Sequence, residues 1–375
     1  MHTPGGVSLT PYTAAMHQRL LRGMRAAPPG AAARNTARKQ TFCAALEQAE
    51  QMFAAAKVTD AMTRPLLVYY GLNQAGRAIA AAASNVADRE QRSGIPADPW
   101  KLTGHGLKIV GGTNAMNGPD IASLPLIEVP GAFPRLAEIL DSGSLIAKRP
   151  DKTPTVEVTV GQIWETISDT VGFSLPGPAH LPVLAFEEDT LASAPFARYG
   201  SLSSWPGSRL GVESARLEGI PQHVVKADDQ VTALKTFLAS YPTLGDVQST
   251  RPDGRIDWEK DSTVTGMTVV RVFWDAPAPV AGQALPPLED RVATWYRGQP
   301  FVFPALGENP KPLHPLLAWW AVLYALSMLA RYEPCAWQKR IAIDASTEAA
   351  AIEHLLEAAL DYLPALIRDT ISDVS

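Results

Sequence analysis

The sequence predicts an α+β fold, with helices at both ends and a strand-containing middle. Three observations carry that reading. Residues 41–57 and 63–91 place apolar residues at helical spacing among strong helix formers. Residues 314–339 and 346–371 repeat that texture at the other end of the chain. Between them lie short runs rich in Val, Ile and aromatic residues, bounded by Gly and Pro, as strands are. Terminal helices that are each apolar on one face bury those faces best against one another. The expected organisation is a basic N-terminal arm over 1–40, a helical core from 41–100 and 310–375, and a mixed α/β insertion over 101–309.

Taken in order, residues 1–40 hold Arg19, Arg22, Arg25, Arg34, Arg38 and Lys39 and no Asp or Glu. With no acid of its own, this stretch is expected to be partly mobile and to offer local positive charge to a nucleic acid, nucleotide or acidic partner. In the helix that follows, Thr63 suits the N-cap and Pro65 the first turn. Gly71 and Gly76 lower its propensity and are expected to admit a close neighbour. GHGLKIVGG, LPLIEV, VEVTV (156–160), LPVLAFEE (181–188), HVVKA (223–227) and TVVRVFWDA (268–276) read as strands. GQIWETISDTV (161–171) reads as a short helix, and DDQVTALKTFLASY (228–241) as a helix capped by Asp228 or Asp229. VATWYRG and PFVFPAL form a hairpin. The last helix has Ser346 or Thr347 as its cap and Arg368 near its end, as the helix dipole prefers.

Bulk properties narrow the function classes. A chain of 375 residues with 46% hydrophobic and 19% charged residues has material for a sizeable core. A net charge of −5 gives no global nucleic-acid footprint. Cys43 and Cys335 lie far apart with no metal-ligand spacing, so a reduced, cytoplasmic protein without metal or other cofactor is expected. No signal-peptide pattern opens the chain. The longest apolar run, Leu316 to Ala330, is shorter than the ~20 residues a bilayer span needs and reads as a buried helix. GGTNAMNG (111–118) lacks a phosphate-loop Lys, and no GxSxG or HExxH step occurs.

Candidate functional residues concentrate at two places. The apolar helix at 314–332 runs directly into Arg331, Tyr332, Glu333, Lys339 and Arg340. Either these polar groups close the helix end as an ion-pair and phenol network, or the cations take an anionic ligand such as phosphate. His105, between Gly104 and Gly106, is either a turn histidine or a ligand contact. Asn73 and Arg77, four apart on one helix face, form a polar stripe that needs solvent or a partner. His314, before Pro315, reads as a helix-entry residue.

The segments PLLVYYGLNQAGRAI (65–79), GHGL (104–107) and HPLLAWWAVLYALSMLARYEP…W (314–337) resemble the bacterial YaaC-like family. YYGLNQAGRAI also looks like the first core helix of HEPN domains, which are helical bundles. The resemblance implies a HEPN-like bundle built from the N- and C-terminal helices around a central insertion. HEPN domains include ribonucleases and toxin components as well as nucleotide and partner binders. The nuclease pattern is an Arg, a polar residue and then a His a short step on, supplying a cation and a general base. The nearest match here, Arg216 to His223 (RLEGIPQH), has Leu after the Arg and reads as a loop. The expectation is therefore a non-enzymatic binding or accessory protein. It would act through a protein, nucleotide or nucleic-acid partner in phage defence or nucleotide-linked regulation, with homo-oligomerisation left open. An atypical HEPN-like ribonuclease or toxin effector is the alternative.

Overall fold

The computed structural model describes residues 13–86, 98–145, 157–189, 212–260, 268–275, 286–307 and 311–375. The main helices are α1 Ala14–Ala26, α2 Thr36–Lys57, α3 Arg64–Ala82, α4 Ala132–Ile139, α5 Gln230–Leu238, α6 Pro315–Tyr332, α7 Pro334–Arg340 and α8 Ala349–Val374. The strands are β1 Leu107–Ile109, β2 Pro125–Glu128, β3 Val158–Thr159, β4 Leu184–Glu188, β5 Val212–Ile220, β6 Asp257–Lys260, β7 Thr268–Asp275, β8 Thr294–Tyr296 and β9 Gln299–Val302. The fold is a mixture of helix and sheet, α+β as expected. It divides into two compact units. One takes Met1–Gly118, Val129–Asp141 and Trp319–Ser375, and the other Pro119–Glu128 and Ser142–Ala318.

In the first unit α3 is the hub, packed against α2, α4 and α8. Its glycines set the spacing. A side chain at Gly71 would meet the Phe53 ring of α2, and one at Gly76 would collide with the Trp320 ring of α6. From Trp319 to Ala330 every residue of α6 is buried, which is what its unbroken apolar run requires. α6 ends at Tyr332 because Glu333 precedes Pro334, and the pre-proline residue is pushed out of helical geometry (φ −129°, ψ 59°). The single helix expected over 314–339 is thus two, with a corner between them. Likewise the helix begun at Thr63 is broken at Ala83, and residues 87–91 of that expectation lie outside the described residues.

Three of the N-terminal cations, Arg22, Arg25 and Arg38, have partners that the sequence did not suggest. Residues 1–12 lie outside the described residues, but Ala14–Ala26 is a helix capped by Thr13. Arg22 pairs with Glu50, and Arg25 with Glu47 and Glu50 at 3.3 Å. Arg38, 1% exposed, donates to the carbonyls of Ala80, Ala81 and Ala83 and lies 5.0 Å over the Trp100 ring. It therefore caps α3, whose C-terminal end attracts a cation. The acids, Glu47 and Glu50, and the carbonyls at the end of α3 all lie beyond residue 40.

The second unit is built on an antiparallel sheet of order β6-β7-β5-β4-β9-β8. Ala215, Leu217, Val270, Val272 and Trp274 pack with Leu234, Phe237 and Leu238 of α5 into its core. Asp229 caps α5 by accepting from the Thr232 amide at 3.0 Å. The expected hairpin is β8–β9, turned at Arg297 (φ 55°) and Gly298 (φ 76°), the left-handed pair a tight hairpin needs. Two expectations fail here. HVVKA is not a strand, since Gln222–Val225 forms a helical turn. Arg216 is not in a loop but central in β5, where Glu187 (2.5 Å) and Glu259 (2.9 Å) flank it. His314 does enter a helix, its Nδ1 accepting from the Leu316 amide at 3.1 Å.

Candidate functional site

The GHG turn is held by backbone. The His105 carbonyl accepts from the Phe133 amide and the Gly106 carbonyl from the Val129 amide, each at 3.1 Å. Gly106 (φ +82°) lies against the backbone of Ala132 and Phe133, where a side chain would not fit. That approach aims the half-buried His105 ring at the start of α3, where Tyr69 and Tyr70 sit side by side. The Tyr69 hydroxyl is 2.9 Å from His105 Nδ1. Tyr324 of α6 closes the cluster, its ring 5.6 Å from Tyr69 and 5.9 Å from His105.

Arg331 reaches the same cluster from the end of α6. Its Nη1 donates to the Tyr70 hydroxyl at 2.8 Å, and its guanidinium stacks 5.1 Å from the Tyr332 ring centroid. The residue is exposed, and among the described residues no carboxylate pairs with it. His105 and Arg331, distant in sequence, thus share one neighbourhood.

Electrostatics fix the protonation states. Burial, with the Arg331 charge second, lowers the His105 pKa, so the imidazole is neutral at pH 7. Burial raises Tyr69, with Tyr324 adding to it. Burial, Tyr332 and Tyr70 push Tyr324 up to about 12, so both phenols keep their protons. Asn73, one turn beyond Tyr69 and buried, offsets part of the Tyr69 rise. The Trp320 indole N–H acts in the same sense, though short of full hydrogen-bond geometry. The Tyr69 hydroxyl and the neutral His105 ring thus share one hydrogen bond at Nδ1. The site then offers a neutral imidazole and an unneutralised guanidinium, ringed by phenols.

The other expected site residues divide. Arg77 is half-buried with its Nε lacking a partner, on the Tyr69–Asn73 face but in no contact with His105. Among the described residues Glu333 makes no ion pair with Arg331; two apart, they would not face each other even on an unbroken helix. Its side chain caps nothing. Lys339 is exposed and stands apart from the cluster. Arg340 is buried, its Nη1 on Glu348 at 2.6 Å and its Nη2 on the Gly118 carbonyl at 2.7 Å, so it closes the fold and is not offered to a ligand. Sequence reasoning missed Tyr69, Tyr70 and Tyr324. The tyrosine pair four residues before Asn73 was the available signal, since phenols on an apolar helix need polar partners when buried.

Among the described residues, no group of three or more His, Cys, Asp and Glu gathers as a metal site, and no helix is long and apolar enough to cross a membrane. A family model described as YaaC-like Protein matches residues 12–371. No curated protein and no solved structure matches the chain.

Proposed function

The chain belongs to the YaaC-like family, and on that premise we propose that it is a non-enzymatic binding protein whose HEPN-like helical core takes a phosphate-bearing ligand or partner between His105 and Arg331. The observation that carries this is the state of Arg331. It is an exposed guanidinium held only by the Tyr70 hydroxyl and its neighbouring ring, beside a neutral imidazole. Unmatched charge with fixed donors suits an oxyanion, which a guanidinium meets with two parallel N–H groups. The HEPN-like reading is supported by the packing of α2, α3 and α8 and by the YYGLNQAGRAI sequence of α3.

The test is calorimetric titration with pyrophosphate of wild type, Arg331→Ala and His105→Ala. Saturable binding weakened about tenfold or more by Arg331→Ala is expected, as for loss of a charged hydrogen bond. Equal affinity in all three proteins, or none in wild type, contradicts the proposal.

One observation favours a second reading. An Arg and a neutral His in one neighbourhood are the parts a metal-free ribonuclease uses. The sequence argues against it, since the nearest Arg-to-His step, Arg216 to His223, has Leu after the Arg and begins in β5. A metal-free RNA cleavage assay decides. Cleavage lost in both Arg331→Ala and His105→Ala would establish the nuclease, and His223→Ala would leave it unchanged. No cleavage is the expected result.

A further inference from the structure

Tyr332 stands out in α6. The helix is buried without interruption from Trp319 to Ala330, yet its last residue is 53% exposed. Truncating the Tyr332 ring would remove little packing, so the core does not explain it. Its neighbours suggest another role. The Arg331 guanidinium lies 5.1 Å from the ring centroid and also donates to Tyr70, so one side chain ties the exposed ring to the His105 cluster. The corner at Glu333 and Pro334 turns the chain away immediately afterwards, leaving the ring at a helix end. An accessible aromatic face beside an unneutralised cation is the pairing with which proteins take one base and its phosphate together.

We propose, resting on the anion-binding reading of this site, that its ligand is a nucleoside phosphate: the phosphate is taken by Arg331 beside His105, and the base stacks on the Tyr332–Arg331 surface. Tyr332 is then the residue that separates nucleotides from other phosphates, because a bare anion gains nothing from it.

The experiment titrates ribose 5-phosphate, adenosine 5′-monophosphate and a short single-stranded oligoadenylate into wild type, Tyr332→Ala, Tyr332→Phe and Arg331→Ala, with thermal melting of each as the folding control. Adenosine monophosphate should bind wild type about tenfold more tightly than ribose 5-phosphate. Tyr332→Ala should erase that difference by weakening adenosine monophosphate far more than ribose 5-phosphate, Tyr332→Phe should keep it, and Arg331→Ala should weaken all three ligands. The oligonucleotide arm assigns the source. Tighter binding per site than the mononucleotide points to a strand, and equal or weaker binding to a free nucleotide. If both monophosphates bind with one affinity, the base platform is wrong and the anion site stands. If neither the bare sugar phosphate nor the nucleotide binds, both fall.

Discussion

The sheet's Arg271 and the helical unit's Arg331 are used in opposite ways. On the sheet, Glu187, Arg216, Arg271 and Asp257 are register partners across β4, β5, β7 and β6. Arg271 meets Asp189 at 2.8 Å, Asp257 at 3.3 Å and Glu259. Arg251 also pairs with Asp257, and the Ser214 hydroxyl donates to Asp189 at 2.7 Å. Every cation in that row is answered by a carboxylate. In the helical unit Arg331 has a phenol and a ring and no acid. The difference teaches that neutralised charge belongs to the scaffold, since a cross-strand ladder is stable without visitors. Charge left standing beside a neutral imidazole marks the place where something else is recognised.

The comparison breaks first, and hardest, at Arg271. Its carboxylate partners Asp189 and Asp257 are buried, with side chains 5% and 8% exposed. Arg271→Ala should destabilise the protein by about 3–5 kcal/mol, because it strands buried anions. Urea unfolding that shows a loss under about 1 kcal/mol would mean the ladder is ornamental.

A smaller effect is expected at His314. Burial pushes its pKa down to about 4, and its Nδ1 must stay unprotonated to accept from the Leu316 amide. The folded value lies below the ordinary one, so the unfolded chain takes up the proton first. Stability should be fully present above about pH 6.5 and fall by on the order of 1–3 kcal/mol as pH drops toward 4. His314→Asn, which can still cap the helix, should flatten that fall in pH-dependent melting. An unchanged slope would place the titration elsewhere.

Arg331→Ala should do least to the fold. An exposed side chain with one phenol partner contributes within about 0.5 kcal/mol. Its melting curve should overlay wild type while anion binding is lost, the inverse of Arg271→Ala. A large loss of stability would make Arg331 a scaffold residue too.

Much of this architecture could be read from the chain. The α6 run demanded burial, Gly76 on α3 demanded a close neighbour, and Arg297-Gly298 sat where a tight hairpin turns. What escaped was set by partners distant in sequence. β5, VESARLEGI, hid because its charged positions lie in the ladder, so its alternation resembled a polar loop. The N-terminal arginines looked unopposed because their acids lie on α2. Of the site, His105 and Arg331 were legible as unusual residues, but their meeting depends on the GHG turn and the end of α6. Tyr69 and Tyr70 read as ordinary apolar positions, since nothing local shows which phenol finds a histidine.

The account rests on His105 and Arg331 addressing one anion, and the imidazole itself can report it. NMR titration of the His105 ring protons, with and without saturating pyrophosphate, measures its pKa directly. Burial and the Arg331 charge hold that pKa down, so an anion between the two groups should raise it in wild type. In Arg331→Ala the pKa should start higher and barely respond to the ligand. A His105 pKa that pyrophosphate leaves unchanged in wild type would contradict the shared site.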